Sequence, residues 1–245
     1  MTERCVLVAE LLYNVRMMEK EIFVLKSDGT RQPFEESKLQ NSLMKSGASG
    51  EVREKIVRHI AGEIKDGMST NDIYRHAFEL LHKFEQPVAN RYSLKRAVAK
   101  LGPTGFPFEH FISDIFQKKG FETMTDQIVK GHCTSHEMDV VAWNEHKLIM
   151  AEAKFHHEFG MKSDVKVALY IKARFDDLRG QKFSYGGRER ELTEGLLITN
   201  TNFTEKAIEY SQCAGVRLIG WNYPEKGNLH DMITESGVFP HPHNV

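Results

Sequence analysis

Two apolar runs that turn charged at matching ends set the terms for what this chain can become. Glu137 to Trp143 and Lys147 to Phe155 read as strands joined by the Asn144 to Lys147 turn. Strand side chains repeat every two residues, so Glu137 and Asp139 are expected on one face of the first strand, with Glu152 and Lys154 on one face of the second. Leu148 and Met150 share the face of Glu152 and Lys154, which therefore changes from apolar to charged near the strand's end. Ordinary surface alternation does not place a carboxylate and a lysine just beyond two large apolar residues; a site at the mouth of a core does. Three carboxylates and one amine should converge between His136 and Lys154.

The sequence around this pair reads as a mixed α/β domain. Phe108, Phe111, Ile112, Ile115 and Phe116 follow helical spacing, with Pro107 at a first helical position and Gly120 as the stop. Glu109 falls at the edge of that buried stripe, where an acid is unexpected. Thr123 to Lys130 reads as a strand. Asp164 to Gly180 reads as a helix whose inner stripe is Ala168, Ile171, Phe175 and Leu178, with Lys166, Lys172 and Arg174 off it. Gly195 to Asn200, Thr204 to Ala214 and Val216 to Trp221 then read as strand, helix and strand, which implies a parallel edge to a mixed sheet with helices on both faces. Leu229 to Thr234 is a short closing helix.

The N-terminal half is smaller and mainly helical. Glu21 to Leu25 and Arg31 to Pro33 form a hairpin around Ser27-Asp28-Gly29-Thr30, in which Gly29 is available for a positive φ. Helices are expected from Glu35 to Met44, over Val52, Ile56, Ile60 and Ile64, over Ile73 to Phe84 capped by Ser69 with Asp72, and from Pro87 to about Leu101. Gly102-Pro103-Thr104-Gly105 is punctuation, so the domain boundary is expected there: 19–102 and then 103–245, with 1–18 as an N-terminal extension. Met17-Met18 offers an alternative start, and the expectation that the first 16 residues are an upstream extension fails if the natively expressed protein has the mass of a chain starting at Met1.

With 245 residues the chain has room for two domains. A net charge of -1 excludes a strongly basic surface overall, so contact with nucleic acid requires a local patch. Cys5, Cys133 and Cys213 are three widely spaced cysteines, which suits a reducing, cytoplasmic compartment with no disulfide. The longest apolar run, Cys5 to Leu12, is too short to span a membrane and carries no signal-peptide pattern.

Val24-Leu25-Lys26-Ser27-Asp28-Gly29, followed by Pro33-Phe34-Glu35, Lys38-Leu39 and Tyr92, resembles the ATP-cone, a module that binds adenine nucleotides as regulatory ligands. The resemblance implies that Lys26, Arg31 and Lys38 take the phosphates of ATP or dATP, with the pattern's usual arginine replaced by Ser27. Phe108-Glu109, Gly120-Phe121, Asp139, Glu152-Ala153-Lys154 and Leu197-Ile198-Thr199-Asn200-Thr201 with Phe203-Thr204 resemble the Mrr-type restriction endonuclease domain of the PD-(D/E)xK nucleases. Met138 stands where that signature's proline would be. The implied fold is a small hairpin-plus-helices cone followed by a restriction-endonuclease-like mixed sheet flanked by helices.

The implied chemistry is Mg²⁺-dependent DNA cleavage. Asp139, Glu152 and the Ala153 carbonyl would hold the metal, Glu137 or Glu109 would support it, and Lys154 would orient the nucleophile and stabilise developing charge. Lys162, Lys166, Lys172, Arg174 and Arg179 follow the catalytic strand and are expected to meet DNA phosphates, with Arg188 and Arg190 in the Gly186-Gly187 loop as further contacts. Cone-mediated assembly into a dimer or tetramer would gate cleavage. Two alternatives stay open: a non-catalytic, nucleotide-sensing DNA-binding regulator, and a zinc site built from His132, Cys133 and His136 with His156 and His157 nearby.

Overall fold

The computed structural model describes residues 21–26, 28–102, 104–158 and 160–240. The extension expected over 1–18, Cys5 and the Ser27 position lie outside them. The chain divides into two compact units, the first ending at Tyr92 and the second beginning at Ser93.

In the first unit β1 (Phe23–Leu25) pairs antiparallel with β2 (Arg31–Pro33), and Gly29 has the positive φ, 80°, that the turn requires. Four helices follow: α1 (Glu36–Lys45), α2 (Gly50–Glu63), α3 (Thr70–Phe84) and α4 (Gln86–Tyr92). The Ser49 side chain caps α2 by accepting from the Val52 N–H, and Ser69 caps α3 by accepting from the Asp72 N–H at 3.0 Å. Leu39, Leu43, Ile56, Ile60, Ile73, Ala77 and Leu81 form the core, so the period-of-four stripes are the buried ones. Tyr92 stacks on Tyr74 with ring centroids 4.9 Å apart.

The helix expected from Pro87 to Leu101 is two helices, α4 and α5 (Leu94–Ala99), interrupted at Ser93. The reason lies in what each stretch buries. Val88, Ala89 and Tyr92 belong to the first unit's core, whereas Leu94, Val98 and Leu101 belong to the second's.

The second unit continues with α6 (Phe106–Lys118), β3 (Glu122–Lys130), β4 (Ser135–Trp143), β5 (Leu148–Lys154), β6 (Lys162–Ser163) and α7 (Val165–Leu178). It closes with β7 (Lys182–Tyr185), β8 (Arg188–Glu191), β9 (Glu194–Thr199), β10 (Asn202–Phe203), α8 (Glu205–Ala214), β11 (Arg217–Ile219) and α9 (Leu229–Ser236). Five strands make the central sheet in the order β11-β9-β5-β4-β3. The β11-β9 and β9-β5 pairs are parallel and the β5-β4 and β4-β3 pairs antiparallel, which is the mixed sheet with a parallel edge expected from the strand-helix-strand order.

One face of the sheet packs on α6 and α9 through Phe108, Ile112, Ile115 and Ile233; the other packs on α7 and α8 through Ile171, Phe175 and Ala207. A glycine stands where sheet and helix approach closely: a Cβ at Gly195 would lie 2.4 Å from the Phe175 ring. The Gly186-Gly187 stretch, expected as a loop, is the turn of a two-stranded β7-β8 hairpin, with both glycines at positive φ. Cys133 and Cys213 are free and exposed. Among the described residues no helix is long and apolar enough to cross a membrane.

Candidate active site

The β4-β5 ladder runs from Trp143↔Leu148 to Val140↔Ala151. Beyond that pair the Asp139 side chain takes over, its Oδ2 accepting the Ala153 N–H at 2.6 Å. Asp139 therefore anchors the end of β5 through one oxygen. Glu152, on the same strand, is part-buried, and Lys154 at the strand's end is exposed.

The two-residue alternation that sequence reading assumed breaks at Asp139. Val140 and Ala142 face the α6 core, yet Met138 faces the α7 core. Strand β3 does the same: Thr123 meets Ser113 of α6 at 2.7 Å, whereas Val129 lies in the α7 core. Pairs on either side, Thr125↔Val140 and Gln127↔Met138, keep one register, so Asp126 stands opposite Asp139 where both strands switch faces. Asp126 has φ of 55°, in the left-handed region that only a few residue types tolerate. This acid was absent from the sequence reading; a lone aspartate inside an alternating strand was the available signal.

The carboxylates crowd one another. Glu109 on α6 is pushed up to about 7, mainly by burial and then by the charges of Asp139, Asp126, Glu152 and Glu137. Glu152 is also pushed up to about 7, by burial and by Asp139, against the opposing pull of Arg174. Burial raises Asp139 as well, opposed by its Ala153 hydrogen bond. Glu137 is exposed and enters only through its charge.

Arg174 is the main counter-charge. Its Nη1 donates to Glu152 Oε2 and, at 2.9 Å, to the Glu137 carbonyl, while Nη2 donates to the Tyr170 hydroxyl at 2.9 Å. The sequence stripe put Arg174 with the DNA-facing cations; its side chain is instead 11% exposed and folded into the acidic cluster. Of the other expected DNA contacts, Lys162 and Lys166 are exposed, Lys172 pairs with Asp176, and Arg179 is 72% exposed with Asp176 at 3.6 Å. Arg188 and Arg190 bond carbonyls of the β4-β5 turn: Arg188 reaches Glu145 at 3.0 Å and Arg190 reaches Asn144.

A hard divalent cation suits this arrangement on its donor chemistry. Asp139 and Glu152 are desolvated oxygen donors, and the surplus of nearby acids over Arg174 and Lys154 leaves negative charge that a cation would compensate. His132, Cys133 and His136 do not assemble a metal-ligand set. His136 Nε2 meets Asp177 Oδ2 at 2.7 Å, and the same carboxylate receives the Cys133 and Thr134 N–H groups. That cap leaves no space at Gly131, where a Cβ would lie 2.1 Å from Asp177 Oδ2.

The segment after Lys154 is also tied down. Asn200 accepts the His156 N–H at 2.8 Å and donates to the His156 carbonyl at 2.7 Å, and the His156 ring meets Ser163 Oγ at 3.0 Å.

In the first unit the three expected phosphate ligands stay on the surface. Arg31 pairs with Asp66 at 2.8 Å, Lys38 pairs with Glu35 at 2.7 Å, and Lys26 is exposed.

Residues 22–100 match the ATP cone domain family and residues 102–222 the restriction endonuclease family of the Mrr catalytic type. An uncharacterized protein of Archaeoglobus fulgidus is 36% identical over 126 residues, which is 51% of this chain and 67% of that protein. The crystal structure of a protein of unknown function is similar at 34% identity, covering 55% of this chain and 67% of that one with a TM-score of 0.48. Can2 from Sulfobacillus thermosulfidooxidans, solved with cyclic tetra-adenylate, is similar at 12% identity over 82% of this chain and 52% of that one, with a TM-score of 0.36.

Proposed function

Because the chain belongs to the Mrr-type restriction endonuclease family, with an ATP cone domain preceding the nuclease domain, we propose that it is a Mg²⁺-dependent DNA endonuclease whose cleavage is regulated by ATP or dATP. The observation that carries this reading is the Asp139 anchor. One oxygen of Asp139 on β4 fixes the Ala153 N–H of β5, and Glu152, the residue before Ala153, has its charge only partly compensated.

Asp139, Glu152 and the Ala153 carbonyl would hold Mg²⁺. When bound, the ion supplies charge neutralisation at the scissile phosphate and an acidified water. Lys154 orients the nucleophile and stabilises the negative charge that develops on phosphate oxygens. Glu109, pushed up to about 7, can hold or release a proton at neutral pH, the property a proton acceptor beside the attacking water needs. Arg174 opposes the burial that favours protonated Glu152, and Glu137 adds to the field that favours a cation. Lys162, Lys166 and Arg179 grip backbone phosphates, with Lys172 joining if its Asp176 partner releases it.

In the cone, Lys26, Arg31 and Lys38 receive the nucleotide phosphates. Arg31 and Lys38 must then exchange Asp66 and Glu35 for the ligand, which makes nucleotide binding competitive with internal ion pairs. Assembly into a homodimer or homotetramer in the cytoplasm completes the reading.

The test is plasmid cleavage with and without Mg²⁺ and with each adenine nucleotide. Asp139→Ala, Glu152→Ala and Lys154→Ala should each abolish Mg²⁺-dependent cleavage and leave the fold intact by circular dichroism. Full activity in any of the three overturns the assignment. Cleavage that ignores every adenine nucleotide overturns the regulatory half alone.

A further inference from the structure

The first unit holds a side-chain cluster that neither phosphate binding nor DNA cleavage uses. His59 and Glu63 stand one helical turn apart on α2, and His76 lies on α3. His59 Nε2 is 3.4 Å from Glu63 Oε1, and His76 Nδ1 is 3.5 Å from Glu63 Oε2. The two imidazoles meet edge to face with centroids 5.1 Å apart. One ligand atom from each of the three side chains lies within 4.8 Å of the others.

The two contacts fall on different oxygens of one carboxylate and are long for ion pairs. An ion pair between imidazolium and carboxylate closes to about 2.7–2.9 Å, well inside the observed separations. A shared metal would draw one ligand atom of each side chain together from within 4.8 Å, a small side-chain adjustment. With Zn–N and Zn–O bonds of about 2.0–2.1 Å in tetrahedral geometry, neighbouring ligand atoms sit about 3.3–3.4 Å apart. Two imidazole nitrogens and one carboxylate oxygen are a donor set of intermediate softness that suits Zn²⁺ better than Mg²⁺ or Ca²⁺, which favour oxygen donors alone.

The backbone beneath the cluster is fixed. Ile60, 2% exposed, adjoins His59, and Ala77, 0% exposed, adjoins His76; both sit in the core where α2 and α3 pack. The ligand-bearing positions are therefore held by buried neighbours, and the spacing between them is set before any ion arrives. Lys26, Arg31 and Lys38 contribute nothing to the cluster.

We propose that His59, Glu63 and His76 form a zinc-binding site on the first unit, with three protein ligands and a fourth position for water. Zinc there would tie α2 to α3. The site is independent of the cleavage reading, because none of its ligands belongs to the nuclease unit.

The experiment uses the full chain carrying Asp139→Asn and Glu152→Gln, which removes the carboxylates that could take a divalent ion at the candidate active site. After EDTA treatment and dialysis, Zn²⁺ is titrated by calorimetry and Co²⁺ by visible absorption. One Zn²⁺ per chain and the intense visible bands of four-coordinate Co²⁺ are expected. His59→Asn and His76→Asn on that background should each weaken Zn²⁺ by at least roughly 10- to 100-fold, the loss that follows removal of even an outer partner of a zinc ligand. His59 has a side chain 46% exposed, so its replacement should leave the far-ultraviolet spectrum of the metal-free chain unchanged. No zinc in the parent, zinc retained at full affinity in His59→Asn, or bound Co²⁺ without four-coordinate bands would each overturn the proposal. Cleavage activity has no bearing on any of these outcomes.

Discussion

Arg174 and Glu152 form an ion pair in which the two side chains are only 11% and 21% exposed. Neither charge is well solvated, so each depends on the other, and Arg174 Nε is buried with no hydrogen-bond partner among the described residues. A divalent ion placed on Glu152 competes with this guanidinium. Arg174→Met should therefore tighten Mn²⁺ or Mg²⁺ binding by roughly tenfold above pH 8, where Glu152 is ionised, an effect equal to about one pKa unit. Calorimetric titration of the metal checks this. Weaker binding in the variant would show that Arg174 helps to build the site and does not compete for it.

The two carboxyls held near 7 give a sign to the pH dependence of stability. Glu109 and Glu152 both bind protons more tightly in the folded chain than in the unfolded one, where carboxyls titrate near their ordinary value of 4.5. Their contribution is complete below that ordinary value and is lost as pH rises through about 7. Metal-free protein should thus melt at lower temperature at pH 8 than at pH 6, from these groups. Mg²⁺ should raise the melting temperature more at pH 8 than at pH 6, because it no longer has to displace the proton. Scanning calorimetry with EDTA and with Mg²⁺ at both pH values reads the two signs.

Asp126 is held at a φ of 55°, which costs a residue with a Cβ about 1–2 kcal/mol. Asp126→Gly should be neutral to mildly stabilising by urea denaturation. Asp126→Val should destabilise by roughly 2 kcal/mol or more, since a β-branched side chain tolerates that conformation poorly. Because the Asp126 charge helps to raise Glu109, Asp126→Asn should also lower the Glu109 titration midpoint, readable by carboxyl-carbon NMR.

Arg190 separates a structural role from a DNA-binding one. It is half-buried and donates to the carbonyl oxygens of Tyr185, at 3.0 Å, and Asn144. Arg190→Ala should cost about 1–3 kcal/mol by leaving these carbonyls poorly paired, while the salt dependence of DNA binding stays as in the parent. A shallower salt slope with unchanged stability would put the arginine on DNA.

How far the sequence carried the fold depended on where each segment's partner lay. Strands β4, β5 and β9 and helices α6 to α8 were legible because apolar period and length suffice when an element's own stripe decides its burial. The break at Ser93 was not legible: no glycine or proline marks it, and it exists because Tyr92 and Leu94 belong to different cores. The β7-β8 hairpin was hidden by its polar strands, although Gly186-Gly187 announced a turn. At the site, Asp139, Glu152 and Lys154 followed from one motif. Arg174 did not, because its position off the helix stripe says nothing about how far a long side chain reaches toward Glu152. His59, Glu63 and His76 come together only when two helices pack, which spacing along one helix cannot disclose.

The face switch at Asp126 and Asp139 has a consequence for how the site tolerates change. Were both residues deleted, Thr125 would adjoin Gln127 and Val140 would adjoin Met138 as ordinary alternating neighbours in an unbroken register. The two acids are an inserted rung in an otherwise regular ladder. Replacing Asp139 takes away a carboxylate and leaves the rung; deleting one acid alone leaves the other without a partner, as a bulge. Only paired deletion closes the ladder, so this corner of the protein is free to change its chemistry while its length stays locked.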